Sequence, residues 1–243
     1  MRYLLIVFCL LSTAVVQAVE VNATLEWANR RLAAFAVHGV VEKVNVAVGE
    51  QVKKNQLLAQ LDQTPFIYAG KKIQAHIDGI KPRWFDAKQN FDQAQELFDR
   101  TVLSQVELQR ADMQYQGVEA EQAAARAELE IAKWQQRQSV LNASCNCLVI
   151  GNSLIPGMVI NEDNQTTASI ELAEAGVMNA VLFLEPTTQL KMQQSVQVNV
   201  AGKNFSAVVI ELMSQNNKRM ARVQFRFDLS AQYFAGQSAK VIF

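Results

Sequence analysis

Residues 64–100 read TPFIYAGKKIQAHIDGIKPRWFDAKQNFDQAQELFDR, and within them Phe66, Gly70, Ile73, Ile77, Ile80, Trp84, Ala87, Phe91, Ala94 and Phe98 recur at alternating steps of four and three. Only Gly70 breaks the apolar row. Further on, Leu108, Ala111, Tyr115, Val118, Gln122, Ala125, Leu129, Ala132, Gln136 and Ser139 keep the same steps, apolar through most of the run. A mean period of about 3.5 residues is that of a coiled-coil seam, so the spacing predicts two helices of similar length lying antiparallel, with the chain turning between Leu97 and Ser104. At 1.5 Å rise per residue each arm is roughly 45 to 50 Å long, too long for the core of a compact domain. The hairpin should project, and its tip should meet something. Pro82 removes one helical hydrogen bond, so a kink is expected near Gly79 to Pro82, with a helix beginning at Pro82 as the alternative.

Lys and Arg together number 23 and Asp and Glu 23, so charge makes no case for a nucleic-acid partner or a polybasic membrane contact. The start of the chain, Met1-Arg2-Tyr3 followed by the apolar run Leu4 to Val16 and the exit Val16-Gln17-Ala18, has the three regions of a secretory signal peptide, with cleavage expected after Ala18. An uncleaved N-terminal anchor is the alternative. Cys9 lies inside the apolar run, which argues against a lipid-modified N-terminal cysteine. No later stretch is long and apolar enough for a membrane helix, so the mature chain is expected to be soluble in an oxidising extracytoplasmic compartment.

Outside the hairpin the residues are strand-like. Val37, Val40, Val41, Val44, Val46, Val48 and Val52 dominate the segment up to Asp62, punctuated by Gly39 and Gly49. After the hairpin, Cys147-Leu148-Val149-Ile150 and the turn at Pro156-Gly157 repeat that pattern at a constant offset of 108 residues: Gly39 meets Cys147, Gly49 meets Gly157, Val46 meets Leu154 and Val52 meets Ile160. The match weakens at Val44 against Asn152 and fails at Leu57 against Gln165. Neither half is large enough to bury a core alone, so the two should pair as one small β-sandwich with the hairpin inserted between them. From Ala168 to Phe243 strands return, with alternation in Val177, Asn179, Val181, Phe183, in Val196, Val198, Val200 and in Ala221, Val223, Phe225, Phe227. Turn signals fall at Ala201 to Asn204, Gln215 to Asn217 and Ala235 to Gln237. A small antiparallel barrel or sandwich is expected there, with a short helix over Glu185 to Met192.

Taken together, a split β-half, a long helical hairpin, a second β-half and a terminal β-barrel resemble the periplasmic adaptor, or membrane fusion protein, family of tripartite efflux and secretion systems. The stretches His38 to Val44 and Gly49 to Asp62 look like the family's first lipoyl-like half, including the closing Leu61-Asp62, and Phe234 to Val241 looks like the Gly-led strand that ends its barrel. The resemblance implies an α+β chain: a lipoyl-like β-sandwich split by a long antiparallel α-helical hairpin, followed by a small antiparallel β-barrel. The implied boundaries are a signal peptide over 1–18, the N-terminal strand and first lipoyl-like half over 19–62, the coiled-coil hairpin over 63–141, the second half over 142–167 and the barrel over 168–243. It implies a non-enzymatic subunit of the periplasm, associated with an inner-membrane transporter, bridging it to an outer-membrane channel and working as a homo-oligomeric ring. No cofactor is implied. Where family members that engage a channel often carry an Arg, a Leu and a Ser at the hairpin tip, this chain has Gln93, Leu97 and Ser104, and Arg100 stands nearby as the alternative to the missing Arg. An amide at Gln93 lacks the charge-assisted bidentate donor of an Arg, so that contact should be weaker or differently aimed. In the second half, Ala143-Ser144 followed by Cys145-Asn146-Cys147 replaces the family's Ala-Pro pair and the Gly beyond it.

Cys145 and Cys147 are the most tempting chemistry in the chain. Two residues apart on a strand, they would form a strained disulfide, and a metal site would need further ligands where the whole chain has only His38 and His76. Burial as small hydrophobes, or a bridge to another chain, is the expectation, with a redox or metal role as the alternative. A lipoyl or biotin carrier would need a Lys at the turn joining the halves, where Asp62-Gln63-Thr64-Pro65 leads into the hairpin instead. The methionines from Met113 to Met220 are scattered, so core filling is preferred to a soft-metal site. No catalytic or metal residues are assigned. A secreted coiled-coil scaffold unconnected with transport is the alternative function.

Overall fold

The computed structural model describes residues 19–164, 167–185, 188–215, 218–228 and 233–243; the expected signal peptide lies outside them, as does most of the Gln215 to Asn217 turn. Two compact units result, one of residues 30–173 and one of residues 19–29 and 174–243.

The first unit contains the sandwich and the hairpin. Strands β2 (Arg31–Ala34), β3 (Gly39–Val44), β4 (Gln51–Val52) and β5 (Leu57–Leu61) precede α1 (Thr64–Asp99) and α2 (Gln105–Gln138), and β6 (Val140–Asn142), β7 (Cys147–Asn152), β8 (Val159–Ile160) and β9 (Ser169–Glu174) follow. They form two four-stranded sheets, β6-β5-β3-β8 and β2-β9-β7-β4. Each half therefore lends its short strand to the other's sheet. The 108-residue offset carries the pairing across: Gly39 faces Ile160 and Val40 faces Val159, while Cys147 faces Val52 and Leu148 faces Gln51. The hydrogen bonds match as well. Val41 N–H donates to Met158 O (2.8 Å) and receives Gly157 N–H on its own O (2.8 Å); Val149 N–H donates to Glu50 O (2.9 Å) and receives Gly49 N–H (2.8 Å). Gly49 and Gly157 both take positive φ, at 91° and 86°, which is why the turn needs glycine in each half. Val41 with Val149 and Val52 with Ile160 fill equivalent places in one buried core, closed by Phe35, Leu58, Leu61, Ile170 and Leu172.

Both helices of the hairpin are continuous, 36 and 34 residues long, and α1 runs through Pro82 without becoming two elements. All the seam positions named from the sequence are buried or half-buried except Phe98, with Ile77, Ile80 and Ala125 forming the tightest cluster. Phe91 stacks on Tyr115 at 5.6 Å, and Arg83 of α1 pairs with Glu121 of α2 at 2.6 Å. The first interaction is seam packing. The second is an exposed ion pair, worth less than about 1 kcal/mol, and helps to fix register more than stability.

The second unit is a closed barrel with strand order β1-β10-β13-β12-β11-β14, built from β1 (Glu20–Trp27), β10 (Val177–Leu184), β11 (Ser195–Val200), β12 (Lys203–Gln215), β13 (Lys218–Arg226) and β14 (Ser238–Ile242). The N-terminal strand β1 closes it by pairing with both β10 and β14, while residues 168–173 belong to the sandwich unit. Val196, Val198, Val200, Ala221, Val223 and Phe225 point into the core as their alternation predicts. On β10 the named alternation does not separate two faces: Met178, Ala180, Leu182 and Leu184 enter the core, Val177 and Asn179 are buried as well, and Phe183 is exposed. That strand is apolar at nearly every position, so its own pattern cannot choose a face, and pairing decides it by setting Leu182 opposite Ala221. The expected helix over Glu185 to Met192 is corrected too. Residues 188–192 are not helical; Leu190 is buried in the barrel core, and Gln193 just beyond turns the chain at φ 60°.

Candidate partner-binding site at the hairpin tip

The tip is made by two helix ends whose chemistry is local. Helix α1 stops at Arg100, and the next residue, Thr101, has φ 60°. Thr101 N–H donates to Phe98 O at 2.8 Å and Val102 N–H to Leu97 O at 2.9 Å. This is the Schellman pattern, which satisfies the last carbonyls of a helix and normally places Gly at the left-handed position. A β-branched Thr there costs on the order of 1 kcal/mol. Thr101 Oγ1 donates to Arg100 O at 2.7 Å.

Helix α2 starts with a complete capping box. Ser104 Oγ accepts the Glu107 N–H at 3.3 Å and donates to Glu107 Oε2 at 2.7 Å, while Ser104 N–H donates to the same oxygen at 3.1 Å. Those bonds, the side-chain one first and the backbone one second, hold the Glu107 carboxyl below its ordinary range. The Ser104 hydroxyl is thus engaged within the turn.

Of the four residues predicted for the site, Gln93 and Leu97 lie on α1 one turn apart, on one face, and Arg100 is that helix's C-cap. Gln93 is exposed; Leu97 keeps 38% of its surface open; Arg100 reaches back toward Glu96 at 3.7 Å. Ser104 lies across the turn as the cap of α2. Spacing alone did not bring out the remaining apolar surface: Phe98, Val102 and Val106 are also exposed, Val102 and Val106 at 69% and 65%. Thr101 and Glu107 were missed as well, although the Ser104-x-x-Glu107 spacing is the sequence signature of such a box. Once both helix ends are satisfied by backbone and capping bonds, the apolar side chains of the turn stay unburied. An exposed apolar knob on a rigid, narrow support can insert into a complementary groove.

The hairpin's other end is anchored in the sandwich. Ser139, fully buried, accepts the Gln63 amide on Oγ at 2.6 Å and donates to Gln136 O at 2.6 Å, and its own carbonyl accepts the Leu61 N–H at 2.9 Å. Asp62 Oδ1 accepts the Thr64 N–H at 2.9 Å, and the bonds from Thr64 keep that carboxyl below its ordinary range.

Cys145 and Cys147 are joined by a disulfide, contrary to the expectation of free or intermolecular thiols. Residues 144–146 form a bend before β7, so the two cysteines are not neighbours along a regular strand, and their Cα atoms lie 5.4 Å apart, within the ordinary range for a bridge. Cys147 is buried in the sandwich core as expected, and Cys145 is half-buried.

No protein-family model matches the chain, and no curated protein matches it by sequence. Among solved structures it is similar to the membrane fusion protein Spr0693 of Streptococcus pneumoniae R6, at 16% identity and a TM-score of 0.71 over 92% of this chain and 97% of that one. It is similar also to MacA of Actinobacillus actinomycetemcomitans, at 19% identity and a TM-score of 0.68 over 93% and 78% of the two chains. The periplasmic adaptor protein EmrA is a third, at 13% identity and a TM-score of 0.56 over 92% and 98%. At these identities the likeness is one of fold, and it covers sandwich, hairpin and barrel: the chain has the fold of the membrane fusion and periplasmic adaptor proteins.

Proposed function

We propose that this chain is a periplasmic adaptor subunit that links an inner-membrane transporter to an outer-membrane channel for efflux or secretion. The observation that carries the reading is the capped, apolar tip on a hairpin of roughly 50 Å whose base is clamped in a pseudo-symmetric sandwich. A rigid arm of that length transmits position, and its end offers Leu97, Phe98, Val102 and Val106 to a partner. The chain itself binds and organises; the transporter supplies the energy. One copy cannot enclose a passage, so the function requires several copies in a closed ring. Gln93 and Leu97 on α1 and Arg100 at its C-cap are the proposed docking residues, with Ser104 across the turn as the cap of α2.

The test is affinity capture of the tagged full-length chain from detergent-solubilised membranes of its own host. Wild type should bring down both a transporter and an outer-membrane channel. Leu97→Asp should lose the channel at least tenfold, on the order of 1.4 kcal/mol, and keep the transporter. Capture of no membrane partner by wild type, with export of test compounds unchanged on deletion of the gene, overturns the reading in favour of a secreted coiled-coil scaffold.

A further inference from the structure

We propose that the Cys145–Cys147 disulfide is an exchange-competent redox centre, reducible in the folded protein by a dithiol, rather than a cross-link that holds the fold. The proposal is independent of the transport reading.

The molecule contains its own control. At the 108-residue offset, Cys145-Asn146-Cys147 corresponds to Val37-His38-Gly39, a segment with no cross-link. Both segments lead into the same ladder, with the four backbone hydrogen bonds at Val41 and Val149 reproduced to within 0.1 Å. The ladder that follows the disulfide is therefore reached in the other half without one. The segment is also tied on both sides of the bridge. Ala143 O accepts the Asn55 N–H at 2.8 Å, Ala143 N–H donates to Gln56 O at 2.9 Å, Asn146 Oδ1 accepts the Lys54 N–H at 3.0 Å, and Cys147 pairs with Val52 in the sheet. None of these contacts runs through a sulfur, so none of them depends chemically on the S–S bond. A bridge between residues two apart closes so short a loop that it restricts the unfolded chain very little, and the stabilisation expected from chain entropy is near its minimum.

The two sulfurs differ in access. Cys147 is 1% exposed, packed with Val149 and Ile160, whereas Cys145 lies in the bend and is only half-buried. An incoming thiolate should therefore attack Sγ of Cys145. The new S–S bond joins Cys145 to the attacker, the Cys145–Cys147 bond breaks, and its electron pair goes to the Cys147 sulfur, which takes up a proton. The second thiol of the attacking dithiol then displaces Cys145 and closes its own disulfide. In sum, one dithiol loses two electrons and two protons, and this chain gains both. The proposed reaction partner is a protein dithiol of the oxidoreductase type, for which dithiothreitol is the laboratory probe.

The experiment uses the full chain, purified oxidised, over a dithiothreitol series without denaturant. Free thiols are counted by maleimide labelling and mass spectrometry while circular dichroism follows the fold. Both thiols should appear by about 1 mM reductant. The spectrum should not change, and the melting temperature should shift by less than about 3 °C. To rank the sulfurs, Cys145 in Cys147→Ala should react with a colorimetric disulfide at least about tenfold faster than Cys147 in Cys145→Ser. Where the Cys147→Ala variant fails to fold, peptide mapping of briefly labelled, reduced wild type gives the same ranking. A disulfide that resists reductant until the protein is denatured, reduction that unfolds the sandwich, equal reactivity of the two thiols, or free thiols in the protein as isolated would each overturn the proposal.

Discussion

The base and the tip of the hairpin end the same two helices by opposite means. At the base, Leu61 and Ser139 have no exposed surface, and the bonds that fix the helix ends reach across the fold, from Gln63 to Ser139 and from Asp62 N–H to Val40 O. At the tip every bond joins residues within 96–108, and Phe98, Val102 and Val106 stay exposed. A long-range network makes the base depend on the whole sandwich. A local network makes the tip a self-sufficient turn whose apolar surface is free for other use.

The contrast breaks most sharply at Leu61. Leu61→Ala should cost about 2–5 kcal/mol in urea unfolding of the sandwich, because a fully buried side chain leaves a cavity. Amide exchange at residues 97–107 should stay as in wild type. Ser104→Ala should do the reverse: about 1 kcal/mol lost locally, read as faster exchange at residues 104–108, with the unfolding midpoint almost unmoved. A global loss of the Leu61→Ala size would mean that the tip is not autonomous. A smaller effect of opposite sign is expected at Thr101, where Gly relieves the left-handed strain; Thr101→Gly should slow exchange at the tip by an amount corresponding to at most about 1 kcal/mol.

Acid sharpens the same comparison. Glu107 at the tip and Asp62 at the base both have carboxyls held below their ordinary range by hydrogen bonds, chiefly from Ser104 and from the Thr64 backbone respectively. A depressed folded-state pKa contributes stability above the unfolded value and loses it as pH falls through the folded one, so the window lies below about pH 4. Glu107 takes part in all the capping-box bonds, whereas Asp62 is one of several anchors. Exchange between pH 5 and 3, corrected for intrinsic rates, should therefore rise at residues 104–108 before it rises at residues 62–66. Simultaneous loss would contradict the local character of the tip.

What could be read from sequence follows the range of the interactions. The seam was legible because one helix-spaced stripe fixes burial on each arm, and the split sandwich because Gly49 and Gly157 mark the same strained turn in two copies. The phase of β10 was not, since Val177–Leu184 is apolar on both faces and only its barrel partners choose between them. Nor could residues 20–27 be assigned to the barrel when both their partners lie more than 150 residues away. At the tip, Leu97 and Ser104 were picked out by the family resemblance, and the structure leaves Leu97 partly exposed. The Ser104 hydroxyl engages Glu107 as the cap of α2. The bridge at Cys145 was misjudged because the bend before β7 leaves no periodic trace.

Strand exchange between the two half-sandwiches also orders events as the chain is made. Strand β3 cannot complete its sheet until β8 exists, and more than a hundred residues separate Val40 from Val159. Closing so large a loop is slow unless something shortens it. The hairpin does so: its contacts form between helices adjacent in sequence, and once zipped it brings Leu61 to within a hydrogen bond of Ser139. The arm that carries the exposed tip thus doubles as the splint on which its own base assembles. In the barrel, likewise, Glu20 of β1 must wait for Ile242 of β14.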